Sequence, residues 1–261
     1  MLAWLEASAV GPVMLFTFVL ARVGGLVVTL PLFTGSETPM QVRAILAIAM
    51  ALLLTPMQLG AAPPASDNLV DYAILMAGEI LVGMCLGLGV TVLMSGLQIA
   101  GQIVAQMSGM ALADVLSPGS ETEIPLFASM FNLLATAVFV VIGGHRAVID
   151  ALLGSFVTLP LGQGGLAGSL SQTVVALVGE SFSLAVRAAA PAMVALLLAT
   201  MVLGLVGRTL PQLNVLVLGF GINAMVTLAV LMVSIGAVAL LFQQYFDPAL
   251  KALVDSLRPS G

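Results

Sequence analysis

Long apolar stretches separated by short polar breaks dominate the pattern along this chain. The six most apolar stretches cover residues 10–33, 44–59, 72–94, 126–142, 171–206 and 213–242. A helix needs about 20 mostly apolar residues to cross a lipid core of about 30 Å. Strands of a membrane barrel would be about 10 residues long and would alternate, which these stretches do not. The pattern therefore predicts an all-α, multi-pass membrane fold of helical hairpins and kinked helices without β-sheet.

The composition supports a membrane environment and argues against a nucleic-acid partner. Hydrophobic residues make up 61% of the chain, charged residues 7%, and the mean hydropathy is +1.20. Soluble domains contain roughly a quarter charged residues, so we expect a lipid bilayer and apolar protein to surround this chain. The formal net charge is -5 and no basic run exists, which argues against a nucleic-acid partner.

Two polar segments divide the chain more sharply than the other breaks. Residues 114–125 contain three acids together with glycine and proline, which favours a loop. Residues 162–170 are rich in glycine, which is typical of a flexible linker. We place the main boundary at this linker, between an N-terminal region of residues 1–161 and a C-terminal region of residues 171–261.

The C-terminal region is predicted to be a helical hairpin followed by one short helix. Arg208, Pro211 and Gln212 lie between its two apolar stretches and predict a tight polar turn. Asp247 and Pro248 are typical of a helix start, where an N-cap residue precedes proline at the first helical position. The apolar spacing after them predicts a separate amphipathic helix at the end of the chain.

Polar side chains inside the apolar stretches are the candidate functional residues. Gln98, Gln102 and Gln106 have the four-residue spacing that places three amides on one face of a helix. That face is predicted to meet water or a polar neighbour. Its alternative, contact with lipid, would leave the amides without hydrogen-bond partners.

Four charged residues lie in or near the apolar stretches, namely Arg22, Glu79, Glu180 and Arg187. Charges are costly in lipid and usually face the protein interior, so we expect them to be buried for packing or subunit contact. The competing interpretation, an ion or proton path, stays open. Cys85 and His145 are the only residues of their types, and no phosphate-binding motif precedes the single lysine. We therefore predict no catalytic, metal or cofactor-binding residue, and no enzyme activity.

Three stretches of sequence, residues 100–120, 139–162 and 204–220, carry a resemblance to a known family. They include Gly101-Gln102, Gly144-His145 and Gly207-Arg208, and they occur in the same order as in that family. The chain resembles the FliR family of flagellar biosynthesis proteins, called SctT in injectisomes. The resemblance extends over nearly the whole chain.

The resemblance implies a subunit of a type III secretion export gate. Such proteins assemble with FliP and FliQ in the bacterial inner membrane, within the flagellar basal body, and work with FlhA, FlhB and a soluble ATPase. It implies a FliP-like region before the linker and a FliQ-like hairpin after it. The loop 107–125 corresponds to the family's pore plug, with the following residues expected in it: Met107, Ser108, Gly109, Met110, Asp114, Ser117, Pro118 and Gly119.

Two hypotheses for the function follow from these observations. The first is a gated conduit for unfolded flagellar proteins, in which this chain performs no chemistry. The alternative is a multi-pass secondary transporter that would use Arg22, Glu79 and Glu180 to bind an ion or a small solute. Lys251 and Arg258 favour a cytoplasmic C-terminus because positive residues tend to stay on that side.

Overall fold

The computed structural model describes residues 2–31, 38–59, 68–109, 126–163, 168–210, 212 and 215–257. Every regular element within these residues is an α-helix, which confirms the predicted fold class. In chain order the helices are α1 Leu2–Thr29, α2 Met40–Gln58, α3 Leu69–Met107, α4 Leu126–Val141, α5 Gly144–Thr158, α6 Gly168–Thr209 and α7 Val215–Ser256.

Several of these helices have the length and composition of membrane spans. Within the described residues, five stretches qualify: Gly11–Thr29, Met40–Gln58, Leu69–Met107, Gln172–Thr209 and Leu218–Ser256. A sixth qualifies if α4 and α5 are taken as one bent span. Three of the five are 38 or 39 residues long, well beyond the roughly 20 residues that a bilayer requires.

Helices α4 and α5 meet at a sharp bend caused by glycine. Gly143 has a φ of 77°, a left-handed conformation that L side chains rarely adopt and that commonly ends a helix. Its backbone N–H donates to the carbonyl of Val140, 3.1 Å away, so the last turn of α4 remains closed. The two helices are bent by 64° at this point. The end of the apolar stretch at residue 142 was thus predicted correctly.

The predicted break before Pro248 is wrong, because α7 continues through it as one helix of 42 residues. Asp247 is an exposed residue in the helix interior rather than its N-cap. Proline at position 248 removes one backbone donor and normally kinks a helix. Beyond it, Ala249, Leu250 and Leu253 are all buried, and this packing keeps the segment helical.

The described residues divide into two compact units. Unit 1 contains residues 1–92, 144–177 and 247–261, and within it α1 packs against α2 and against the first part of α3. Its buried side chains include Phe18, Val23, Leu86 and Leu152.

Unit 2 contains residues 93–143 and 178–246. Its core is aromatic and aliphatic, and includes Leu97 and Leu184. Phe246 packs edge-on against Phe139 with ring centroids 5.4 Å apart, and stacks against Phe242 at 5.5 Å.

Glycines allow α1 and α3 to approach each other closely within unit 1. A Cβ atom at Gly83 would collide with the backbone carbonyl of Arg22, and one at Gly25 would collide with the carbonyl of Ile80. Gly87 lies equally close to Thr29. Gly83 and Gly87 form the G-x-x-x-G spacing that commonly brings membrane helices together.

Alanine at Gly25 is expected to destabilise the chain by about 1–3 kcal/mol, since backbone atoms of α3 cannot move away from the added methyl group. Gly24 is the matched control because a Cβ there meets nothing within 4 Å. Gly24→Ala should be neutral or stabilising by up to about 1 kcal/mol, since alanine favours helix over glycine. Thermal unfolding in detergent distinguishes the two variants, and equal stabilities would contradict this helix contact.

Candidate functional site

The structure brings two of the predicted charged residues together in the interior of unit 1. The Arg22 Nε donates to Glu79 Oε2 across 2.6 Å, which joins α1 to α3 by a salt bridge. Both side chains are 0% exposed. The face of the Phe156 ring lies 4.5 Å from the Arg22 guanidinium carbon and adds a cation–π contact.

Hydrogen bonds to α5 and to the turn after it complete this charged cluster. The Arg22 Nη1 donates to the carbonyl of Ser155 at 3.0 Å and to its hydroxyl at 3.2 Å. The Nη2 donates to the carbonyl of Leu159 at 3.0 Å. The second carboxylate oxygen of Glu79 accepts from the backbone N–H of Gly162 at 2.9 Å. The pair therefore fixes the chain at the start of the glycine-rich segment.

This arrangement is better suited to holding helices together than to binding a solute. A buried ion pair is tolerated when further hydrogen bonds satisfy its remaining donors and acceptors, and here every guanidinium nitrogen and both carboxylate oxygens are engaged. A solute would have to displace one of these bonds to reach either charge.

Glu180 and Arg187, expected to serve packing or subunit contact, are not packed within this chain, and their contact with another subunit stays a prediction. Both are exposed on α6, in unit 2. They lie seven residues apart, which places them on one face of that helix. The guanidinium of Arg187 lies over the Tyr245 ring, 5.9 Å from its centroid, and the Tyr245 hydroxyl shares a hydrogen bond of 3.1 Å with Ser183. The charges project outward because the opposite face of α6 fills the core of unit 2.

The glutamine face of α3 lies in unit 2 and is largely open. Gln102 and Gln106 are exposed, and Gln98 is half-buried. The Gln98 Nε2 donates to Asn132 Oδ1 on α4 across 2.6 Å. This α4 partner was not predicted from the sequence, although Ser129, Asn132 and Thr136 have the helical spacing of a second polar face.

The first residues of the predicted plug are held at the end of α3. Met107 is the last helical residue, and Gly109 follows with a φ of 78°. Ser108 is fully buried, its hydroxyl donates to the carbonyl of Ala105 at 2.8 Å, and its own carbonyl accepts from Asn223 Nδ2 at 3.4 Å. The other predicted plug residues lie outside the described part of the chain: Met110, Asp114, Ser117, Pro118 and Gly119.

The predicted hairpin turn is located between α6 and α7. Arg208 lies exposed in the last turn of α6, where its positive charge complements the helix C-terminus. Gln212 is also exposed, and Pro211 lies outside the described residues. Over the described ranges, no group of three or more His, Cys, Asp and Glu side chains is placed to hold a metal ion.

Comparison with known proteins identifies the family of the chain. The family model described as bacterial export proteins, family 1, matches residues 13–249. The chain belongs to this family. It is 27% identical over 230 residues to the flagellar biosynthetic protein FliR of Aquifex aeolicus, with 88% of each chain covered. The similarity to FliR of Escherichia coli is 27% over 244 residues, with 92% of each chain covered.

A third relative, FliR of Bacillus subtilis, is 26% identical over 252 residues, which covers 94% of this chain and 95% of that protein. The resemblance to the FliR family expected from the sequence is thus confirmed. The chain is therefore a member of a bacterial export family, with several helices long and apolar enough to cross a membrane.

Replacing Glu79 by glutamine should cost on the order of 3 kcal/mol of stability, because it leaves the buried Arg22 guanidinium without its counter-charge. Glu180→Gln is the matched control, since Glu180 is exposed and shares no salt bridge in the described part of the chain. Thermal unfolding of the purified chain in detergent measures both. If Glu180→Gln proved as destabilising as Glu79→Gln, the structural role assigned to the buried pair would be wrong.

Proposed function

We propose that this chain is a subunit of the flagellar protein-export gate. It assembles with FliP and FliQ into one hetero-oligomeric complex in the bacterial inner membrane, within the flagellar basal body. The complex forms a gated pore for unfolded flagellar proteins, and FlhA and FlhB act on the same pathway. The family match supports an export role, and the relatives' name supports a flagellar one.

The observation that carries this proposal is the incomplete coverage of α6 and α7. Only 22% of the most apolar window of each helix is buried within this chain. Lipid alone would be a poor cover for α6, because Glu180 and Arg187 are exposed among large apolar side chains such as Phe182 and Val186. A protein partner with complementary charges covers both the apolar area and the two charges.

The plug is the part of the gate that this chain contributes to the closed state. The first residues of the loop 107–125 are held in place, since Ser108 is buried and its carbonyl accepts a hydrogen bond from Asn223 on α7. The exposed Gln102 and Gln106 precede it on the last turns of α3. In this proposal the loop blocks the pore at rest and moves when a substrate arrives.

The chain itself supplies no energy and no catalysis in this mechanism. The proton-motive force and partner proteins, including a soluble ATPase, drive transport. Within the chain, residues 1–161 act as a FliP-like part and residues 171–261 as a FliQ-like hairpin, joined through the linker 162–170. The C-terminus faces the cytoplasm.

The transporter alternative gains no support from the arrangement of its candidate residues. Arg22 and Glu79 are fully buried and bonded to each other, whereas Glu180 is exposed on α6 and belongs to the other unit. A binding site for a small solute requires convergent polar groups in a cavity.

Deleting residues 108–117 should make the inner membrane leak small solutes, because the closed pore would lose its plug. Leakage is measured as dye uptake or growth inhibition in cells that express the full export complex. Deletion of residues 60–67, which lie between α2 and α3 and are rich in alanine and proline, is the control, and it should leave the membrane sealed. An intact permeability barrier after deletion of 108–117, in a complex that still assembles, would overturn the plug assignment.

A further inference from the structure

The glutamine face of α3 does not end at that helix, because α4 carries a matching polar face beside it. Six uncharged side chains form this surface, which we call the neutral stripe: Gln98, Gln102 and Gln106 on α3, with Ser129, Asn132 and Thr136 on α4. The 2.6 Å hydrogen bond from Gln98 to Asn132 joins the two faces within unit 2. The result is one band of amides and hydroxyls across two helices.

The neutral stripe is open rather than packed. Gln102, Gln106 and Asn132 are exposed, and the remaining members are half-buried. Amides that faced hydrocarbon would lose their hydrogen bonds to water at a cost of several kcal/mol each. The stripe must therefore face water or another polar group in the assembled protein.

Absence of charge sets the kind of ligand that this surface can accept. Neither α3 after Glu79 nor any part of α4 contains a charged residue. Glutamine and asparagine each donate and accept hydrogen bonds, so they match the peptide group, which does the same. A surface of this kind has no means of selecting acidic or basic side chains.

An extended polypeptide fits this chemistry better than a helix of another subunit. The backbone of a helix satisfies its own hydrogen bonds internally, whereas the N–H and C=O groups of an extended chain are free. Weak and repeated contacts also suit a conduit, in which a passing molecule must bind well enough to enter and loosely enough to leave.

We propose that the neutral stripe is a contact site for the backbone of extended polypeptides during export. This inference rests on the proposed function, and it names the recognition chemistry within it. The exposed amides of Gln102, Gln106 and Asn132 exchange hydrogen bonds with water when the pore is at rest and with the substrate backbone during passage, which makes the contact independent of substrate sequence.

Site-specific photo-crosslinking in the full export complex tests this contact. A photoreactive amino acid is placed at Gln102, at Asn132 or at Leu133, and an export substrate fused to a tightly folded domain is stalled in transit. Leu133 is the matched control, because it follows Asn132 on α4 and is 70% exposed but apolar. We expect the stalled substrate to be crosslinked from positions 102 and 132 and not from 133.

Two outcomes would overturn the proposal. If crosslinks from positions 102 and 132 reach only another subunit, the stripe is a subunit interface. If position 133 crosslinks to the substrate as strongly as positions 102 and 132, the contact is not specific to the neutral stripe. Neither outcome would affect the proposed export role, which fails separately if the tagged chain does not co-purify with FliP and FliQ.

Substituting glutamines of the neutral stripe gives a second test, in which the rate of substrate export is measured. Leucine at both Gln102 and Gln106 should slow export of the substrate about tenfold, the equivalent of losing one to two net hydrogen bonds. Asparagine at both positions keeps the amides and should restore most of the rate. Co-purification with FliP and FliQ should be unchanged in both variants, and full export by the leucine variant would contradict the proposal.

Discussion

A polar group inside an apolar helix must find a polar partner, and this constraint organises the whole molecule. The chain meets it by itself for one pair of charges, where Arg22 and Glu79 bond to each other and to the backbone of α5 and of Gly162. The cluster is shielded from water, so breaking its bonds would leave buried charges unpaired at a high cost. The cluster therefore fixes one arrangement of α1, α3 and α5. The close glycine contact of α1 with α3 is what allows the two charges to meet.

The polar groups that are exposed on the apolar helices indicate what surrounds the chain. Glu180 and Arg187 are exposed on α6, whose apolar side chains are also mostly uncovered. Gln102, Gln106 and Asn132 are exposed on a different pair of helices, and they carry no charge. Charged groups match a protein partner with opposite charges, whereas neutral amides match water or a peptide backbone. The two sets thus correspond to two different neighbours in the proposed export gate.

Much of the fold could be predicted from the sequence, because apolar length and glycine positions act locally. The helices and the end of α4 at Gly143 depend on nearby residues alone, and the four-residue spacing of Gly83 and Gly87 is visible in the sequence. The partners of Arg22 could not be predicted, since they lie 57 to 137 residues away along the chain. Pro248 was misread for a similar reason: α7 continues through it, and Leu253 beyond it packs against the distant Gly89 of α3.

The surroundings of these polar groups can be seen in an experimental structure of the complex, purified through a tag on this chain. We expect FliP and FliQ to be present, acidic and basic partner groups to cover Arg187 and Glu180, and Gln102 and Gln106 to face a water-filled passage. The buried pair of Arg22 and Glu79 should be unchanged. A complex without those subunits, or one in which Glu180 and Arg187 lie against lipid while the glutamines pack in an apolar interface, would contradict this expectation.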